Sequence, residues 1–426
     1  MTITADSWIE GAPVRWTRGR IKNLIASATN GTWGGEPAED GSDVRCIRAA
    51  DFDRVGRRAK ADGAPLRSID ASSLRRHLLH SGDLILEKSG GGEKQPVGMA
   101  VLYEGTEEAV CSNFCSRITP ASGVDSRFLT YVFAAAYGQG LTQSVIKQTT
   151  GIQNLDSGAF FSSSWAYPEL EEQRRIADFL DVEIAKVGDL VSKEERLVSL
   201  MDKRIDSQVL QHVGSSQLVN QETGHPALPI RRILTKVTRP AVANLGVITA
   251  YRDGQVTERS LRRAEGYTLS ASTDPQGQNA QVGDVVVHGL DGFAGAIGTS
   301  EAVGNCSPVY HVCVPAGDGD ARFLGRLLRL LALQGYLGNF ATSTRERAVD
   351  FRNWDLFGRI PIPVVSPDEQ REIGDRITRL RPLRELVTRS ESFAAERRQV
   401  LITAAVTGQF DVSTASGRNV TDGVTA

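Results

Sequence analysis

Leu170-Glu-Glu-Gln-Arg-Arg-Ile-Ala-Asp-Phe-Leu180 opens one long stretch of this chain, and Ser366-Pro-Asp-Glu-Gln-Arg-Glu-Ile-Gly-Asp375 opens its counterpart. After the first, apolar residues fall at Leu180, Ile184, Val187, Val191, Val198, Met201 and Ile205. The steps are 4, 3, 4, 7, 3 and 4, with Glu194 in the one skipped seat. A seam of that period is a coiled-coil signature. Pro168 suits a first helical turn, and Glu169, Glu171 and Glu172 complement the positive end of the helix dipole. The pattern predicts a helix over about 168–213, some 65–70 Å long at 1.5 Å per residue. In the second stretch, Ser366-Pro367-Asp368-Glu369 is a capping-box start. Ile373, Ile377, Leu380, Leu383 and Val387 continue it, then Ala394 and Leu401, and Gly408 is a natural cap. Pro382 lies inside and is expected to kink or interrupt the helix. Each seam is too thin to stay folded alone. Antiparallel pairing within the chain would bury both; the alternative is two amphipathic helices, each packed on its own domain.

The rest of the chain is organised by a repeat. Asp125-Ser-Arg127-Phe128-Leu129 recurs as Asp320-Ala-Arg322-Phe323-Leu324 at an offset of 195, as do Cys111-Ser112 with Cys306-Ser307 and Gly140 with Gly335. Gly82-Asp83 matches Gly283-Asp284 at 201, and Glu172-Gln173-Arg174 matches Glu369-Gln370-Arg371 at 197. The common order and near-constant offsets mean a duplication, with a period too long for a solenoid. Each copy has a short apolar strand after Gly-Asp, then a Gly-rich turn (89–92; 289–298), then a helix (127–137; 322–336). Each closes with a Pro-bearing segment and a long helix. The expected class is α+β, with two duplicated globular domains separated by two long helices that pair as an antiparallel coiled coil. The predicted boundaries are 1–167 and 216–365 for the domains, 168–215 and 366–410 for the helices, and 411–426 for a flexible tail.

Composition excludes several classes. With 426 residues, 40% hydrophobic and 23% charged, the chain is globular. Forty-nine basic and 51 acidic side chains exclude a polybasic protein but not local basic patches. The imbalance is local: residues 166–215 hold 7 basic and 11 acidic groups, whereas 216–365 hold 15 and 13. No apolar h-region or membrane-spanning run is present; Arg326 and Arg329 break the most apolar stretch, Leu324 to Leu333. Five scattered cysteines suggest reduced thiols in the cytoplasm. Cys111 and Cys115 have ligand-like spacing without accompanying His or Cys, so buried strand thiols are expected rather than zinc ligands.

Catalytic motifs are missing. There is no P-loop, no His-Glu-x-x-His, no Gly-x-Ser-x-Gly and no amino-methyltransferase Asn/Asp-Pro-Pro-Tyr/Phe element. Ser89-Gly-Gly-Gly92 lacks the Lys-Ser/Thr of a phosphate loop and reads as a flexible turn. His77 and His80 read as a solvated helix face. Neither a metal site nor a catalytic role is expected. What remains is recognition: two diverged domains on long helices suit an asymmetric, bipartite DNA target, since contact sites on one face of B-DNA recur about every 34 Å.

The helix motifs resemble a known family. Residues 170–181, with Ile184 and Lys193-Glu-Glu-Arg-Leu197, resemble the first conserved helix of the specificity (S) subunits of type I restriction–modification systems. Residues 366–375 and Glu396-Arg-Arg-Gln-Val-Leu-Ile-Thr-Ala-Ala-Val-Thr-Gly408 resemble the start and end of the second. Thr149-Thr-Gly-Ile-Gln-Asn-Leu155 resembles the family's lead-in to its first helix. The second copy departs from it, with Ala341-Thr-Ser-Thr-Arg-Glu-Arg-Ala348 in that place.

The resemblance implies a non-catalytic DNA-recognition subunit. One target recognition domain reads each half of a split site in double-stranded DNA. The paired helices set the spacing and help bind two methyltransferase (M) subunits, with restriction (R) subunits as further partners where a system has them. S-adenosylmethionine and ATP would be bound by those partners, and this chain would hold no cofactor. The family reaction is adenine methylation in each half-site.

Base readout favours Arg, Lys, Asn and Gln, and phosphate contact favours Lys, Arg, Ser and Thr. The candidates in the first copy are Lys88, Lys94, Lys147, Gln148 and Asn154. Those in the second are Arg252, His288, Arg345, Arg347 and Arg352, with Arg345 and Arg347 sharing one polar loop. For each, an ordinary solvated surface role is the alternative. A two-headed scaffold that binds no DNA and a stand-alone enzyme remain as other classes.

Overall fold

The computed structural model describes residues 11–92, 95–149, 151–213, 227–262, 277–340, 350–409 and 411–412. The chain forms two compact units, residues 1–191 with 390–426 and residues 192–389. The element pattern is α+β in both.

Unit 1 is built on β1 (Ile25–Asn30), β2 (Leu84–Glu87), β3 (Ser89–Gly90), β4 (Ala100–Leu102), β5 (Cys115–Pro120), β6 (Ile146–Thr149) and β7 (Ile152–Leu155). Its main sheet has the order β1-β5-β2-β4, extended by Arg58–Ala59 and Phe52–Asp53. Helix α1 (Ser126–Gly138) buries Phe128, Leu129, Val132 and Phe133. Along β2, Leu84 and Leu86 join the core under α1 while Ile85 joins a second core on the other face. A strand buried on both faces has no polar side, which is why it reads as an unbroken apolar run. Helix α2 (Leu170–Val213) leaves this unit for the next.

Unit 2 repeats the plan with β8 (Leu234–Lys236), β9 (Val285–His288), β10 (Ile297–Thr299) and β11 (Tyr310–Pro315), ordered β8-β11-β9-β10. The register repeats as well: Leu84 faces Ile118 in unit 1, and Val285 faces Cys313 in unit 2. Helix α3 (Ala321–Leu333) takes the place of α1. It stops short of the expected 336 because Gly335 adopts φ +77°, as Gly140 does after α1 with φ +78°. A left-handed residue there ends a helix at little steric cost only when it is glycine. Helix α4 (Pro367–Val406) then returns to unit 1.

The repeated sequence markers are joints between domain and long helix. Asp125 caps α1 by accepting from the amides of Arg127 and Phe128, and Asp320 caps α3 through Arg322 and Phe323. Buried Gln173 accepts from the amide of Asp125 at 3.0 Å and donates to the carbonyl of Pro168 at 2.9 Å. Buried Gln370 does the same to Asp320 and Val365, at 3.0 and 2.9 Å.

The long helices traverse the units in opposite order, and so run antiparallel. In unit 1, Ile176, Ala177 and Leu180 of α2 share a core with Leu401, Ile402 and Ala405 of α4. In unit 2, Ile205 and Val209 share one with Ile373 and Leu380, and Arg384 pairs with Asp202. The capping box is present: Glu369 accepts from the Ser366 amide at 3.0 Å, and Ser366 Oγ accepts from the Glu369 amide at 3.4 Å. Contrary to the expected interruption, α4 runs through Pro382. Pro382 is exposed, so the carbonyl it deprives of a donor can turn to water.

Five acidic groups of α2 pair with arginines outside that helix. Glu172 pairs with Arg15, Asp178 and Asp181 with Arg127, and Asp202 and Asp206 with Arg326. All five cysteines are buried, and burial pushes the Cys115, Cys306 and Cys313 thiols up to about 12. Among the described residues, no helix is long and apolar enough to cross a membrane.

Candidate nucleic-acid interface

In unit 1 the candidates gather on the small sheet β6-β7-β3. Lys147 on β6 faces Asn154 on β7, which faces Ser89 on β3. The three side chains form a row across the strands, because residues directly opposite share a face. Ser89 Oγ donates to Asn154 Oδ1 at 2.8 Å, and Lys147 Nζ is held by Asp156 at 2.7 Å. Lys88 sits beside the row, its Nζ donating to Asn30 Oδ1 at 2.8 Å. Gln148 is exposed but lies on the other face of its strand. The expected flexible turn at Ser89 is instead partly strand, held by Gln153 and Asn154. Lys94 lies outside the described residues.

In unit 2 the candidates gather at the turn after β9. His288 Nδ1 accepts from the amides of Leu290 and Asp291 at 3.1 and 3.0 Å, so the ring organises the turn. Burial holds its pKa below the usual value, opposed by Asp291. Asp291 also holds Arg252 at 2.9 Å. Arg352 pairs with Asp350 at 2.6 Å and packs against Gly289, where a Cβ would fall 2.8 Å from Arg352 Cγ and 2.6 Å from the Val309 carbonyl. Arg345, Arg347 and the segment Ala341–Ala348 lie outside the described residues. The structure thus brings Arg252, His288 and Arg352 to one turn, in the place that Lys88 and Ser89 occupy after β2.

Three residue types escaped the sequence reading. Ser89 completes the row in unit 1. Asp156, Asp291 and Asp350 aim the cations, and only the Asp350-x-Arg352 pair was visible as spacing. His311 is the third: buried on β11, its Nε2 donates to the carbonyl of Phe351 at 2.6 Å, fixing the segment that carries Arg352. Its Nδ1 is buried without a partner. Burial, with Lys236 nearby, lowers its pKa below the ordinary value of about 6.5. A depressed folded-state pKa means stability that is fully present above pH 6.5 and is lost as pH falls through the folded value. Urea unfolding is therefore expected to show less stability at pH 5.5 than at pH 7.5. His311→Gln, which keeps a donor for Phe351, should shrink that difference; an unchanged difference would assign the acid sensitivity elsewhere.

No protein-family model matches the chain, and no curated protein matches it by sequence. Among solved structures it is similar to a chain studied for the complex assembly and conformational transition of the type I R-M system. The TM-score is 0.60 at 14% identity, over 94% of this chain and 99% of the other. It also matches the HsdS subunit from Thermoanaerobacter tengcongensis, with TM-score 0.46, 12% identity and coverage of 94% and 98%. The type I restriction-modification S subunit from M. genitalium gives 0.44 and 14%, covering 92% and 96%. At these identities the shared property is the fold: this chain has the architecture of a type I restriction–modification chain along nearly its whole length.

Proposed function

We propose that this chain is the DNA sequence-recognition subunit of a type I restriction–modification complex, and is not itself an enzyme. Residues 1–167 and 216–365 each read one half of a bipartite, asymmetric site in double-stranded DNA. Residues 168–215 and 366–410 recruit two methyltransferase subunits, and restriction subunits where the system has them; 411–426 is a tail. S-adenosylmethionine and ATP act on those partners, and the complex methylates adenine in the cytoplasm.

One observation carries this reading. The same strand order, capped helix and glutamine joint occur twice, while the side chains at the corresponding turns differ completely: Lys88, Ser89, Lys147 and Asn154 against Arg252, His288 and Arg352. A conserved frame with divergent polar tips suits two readers of two sequences. Partner recruitment is supported by apolar residues left exposed at seven-residue spacing on the helices, Leu190 with Leu197 and Leu386 with Phe393.

The test is co-expression with a methyltransferase chain carrying the amino-methyltransferase motif, followed by long-read mapping of methylated adenine. The expected result is a stable complex and one split motif that disappears without this chain. A scaffold would give a complex with no selective methylation, and an enzyme would modify or cut DNA alone. The near-neutral chain should bind random duplex more weakly than the complex does.

A further inference from the structure

A cavity of about 270 Å³ in unit 2 lies between α3, the β9–β10 sheet edge and the first half of α4. Its wall carries Arg322, Arg326 and Arg329 from one face of α3, Arg381 and Arg384 from α4, and a single carboxylate, Glu301. Three of the guanidinium groups already hold carboxylates from the surroundings: Arg322 pairs with Asp320 and Asp375, Arg326 with Asp202 and Asp206, and Arg384 with Asp202. Two do not hold one closely. Arg381 stands 3.4 Å from Glu385 and 3.8 Å from Glu301. Arg329 has no carboxylate partner among the described residues. Its Nη2 donates to the carbonyl of Arg252 at 3.2 Å, and its Nε is buried without a partner. Burial, with the neighbouring charge of Arg326, lowers its pKa against the opposing pull of the more distant Asp206, Asp253 and Asp202. A half-buried guanidinium with an orphaned donor is costly unless an anion completes it.

The other copy makes the cavity specific to this one. Arg58 bonds Glu104 at 2.6 Å, and Gln255 bonds Glu301 at 3.0 Å; both pairs are related by an offset of 197, which makes Arg57 the counterpart of Gly254. Both have left-handed backbones, with φ 54° and 89°. At the α1 and α3 offset of 195, Ala134 is the counterpart of Arg329 and Tyr131 that of Arg326. Copy 1 thus has a large residue at 57 and a small one at 134, and Tyr131 closes onto Asp181. Copy 2 has exchanged the sizes: a Cβ at Gly254 would fall 2.5 Å from Arg329 Cδ. The exchange places an extra guanidinium against the cavity and keeps it there at the cost of its hydrogen bonding.

We infer that this cavity binds a phosphate group carried by a small molecule, held by Arg329 and Arg381. Arginine presents paired N–H donors that match phosphate oxygens, and the cavity wall sets five guanidinium groups against one carboxylate. The volume is close to the lower end of small-molecule sites, about 300 Å³, and admits a phosphate or pyrophosphate but no length of duplex. The inference stands apart from the DNA reading, since the site uses none of the side chains at the β9 turn.

Isothermal titration of the full chain with inorganic phosphate, and separately with pyrophosphate, tests it, with chloride holding the ionic strength constant. One saturable site is expected. Arg329→Ala, which installs the residue that copy 1 carries, should weaken binding at least about tenfold. The more exposed Arg381→Ala should weaken it about fivefold, and it decides the matter if Arg329→Ala fails to fold. No saturable binding beyond chloride, or an unchanged affinity in either folded variant, overturns the inference. So does displacement of bound phosphate by short random duplex, which would assign the phosphate to DNA.

Discussion

Gln370→Leu is expected to lower the unfolding free energy of unit 2 by roughly 2–6 kcal/mol, because it strands two backbone groups at about 1–3 kcal/mol each. Leucine matches the volume but offers nothing to the amide of Asp320 or the carbonyl of Val365, which Gln370 now joins. The same loss is expected in unit 1 for Gln173→Leu, which strands the Asp125 amide and the Pro168 carbonyl. Each glutamine sits one turn inside a long helix and grips the residue that caps the recognition-domain helix. The break should therefore be local before it is global. Amide exchange should quicken at Asp320 in one variant and at Asp125 in the other. Gln370→Glu keeps the acceptor but buries a carboxylate whose oxygen faces the Val365 carbonyl, so it should cost at least as much as leucine. A loss below about 1 kcal/mol in urea titrations of Gln370→Leu would mean that the freed groups find water, and that the joint is not rigid.

These joints also explain what the sequence disclosed. Asp125 and Asp320, Gln173 and Gln370, and Gly140 and Gly335 each perform one local task that few residue types can perform: capping, bridging two backbone groups, or ending a helix with positive φ. Such tasks preserve identity after the rest has diverged, so they surfaced as matched pairs at offsets of 195 and 197. The heptad seam was legible for a similar reason, since its period is local. Strand order was not, because Ile25–Asn30 and Cys115–Pro120 pair across nearly ninety residues and nothing nearby announces it. The arginine cavity was half visible. Arg326 and Arg329 stood out as breaks in an apolar helix, but what they face depends on Gly254 and on Arg381, brought near only by folding. The acidic excess of the first long helix was legible as a count, but not that Asp178, Asp181, Asp202 and Asp206 hold arginines of the recognition domains. Charge counts locate carboxylates along the chain and leave their partners unstated.

On the proposed reading, the two clusters should fail separately. Lys147→Ala with Asn154→Ala removes the end and the middle of the row on β6 and β7, where Ser89 aims the Asn154 amide and Asp156 aims the lysine. Arg252→Ala with Arg352→Ala empties the turn after β9 of the cations that Asp291 and Asp350 hold. A lost bidentate base contact costs about 1–3 kcal/mol, so each double variant should bind the split target roughly 10- to 100-fold more weakly. The decisive quantity is where preference relaxes. The unit 1 pair should loosen one half of the methylated motif and leave the other intact, and the unit 2 pair should do the reverse. Salt titration separates the contributions: a side chain that touched phosphate lowers the slope of log affinity against log salt by about 1, whereas a base reader leaves it unchanged. Lys147 and the arginines should show the first behaviour and Asn154 the second, because an amide carries no charge to release counterions. His288→Ala should disturb the unit 2 half without changing the slope, since its ring holds the amides of Leu290 and Asp291 and is neutral. Equal relaxation of both halves by either pair would deny the one-domain, one-half division. Unchanged motifs in both variants would move DNA reading away from these two turns altogether.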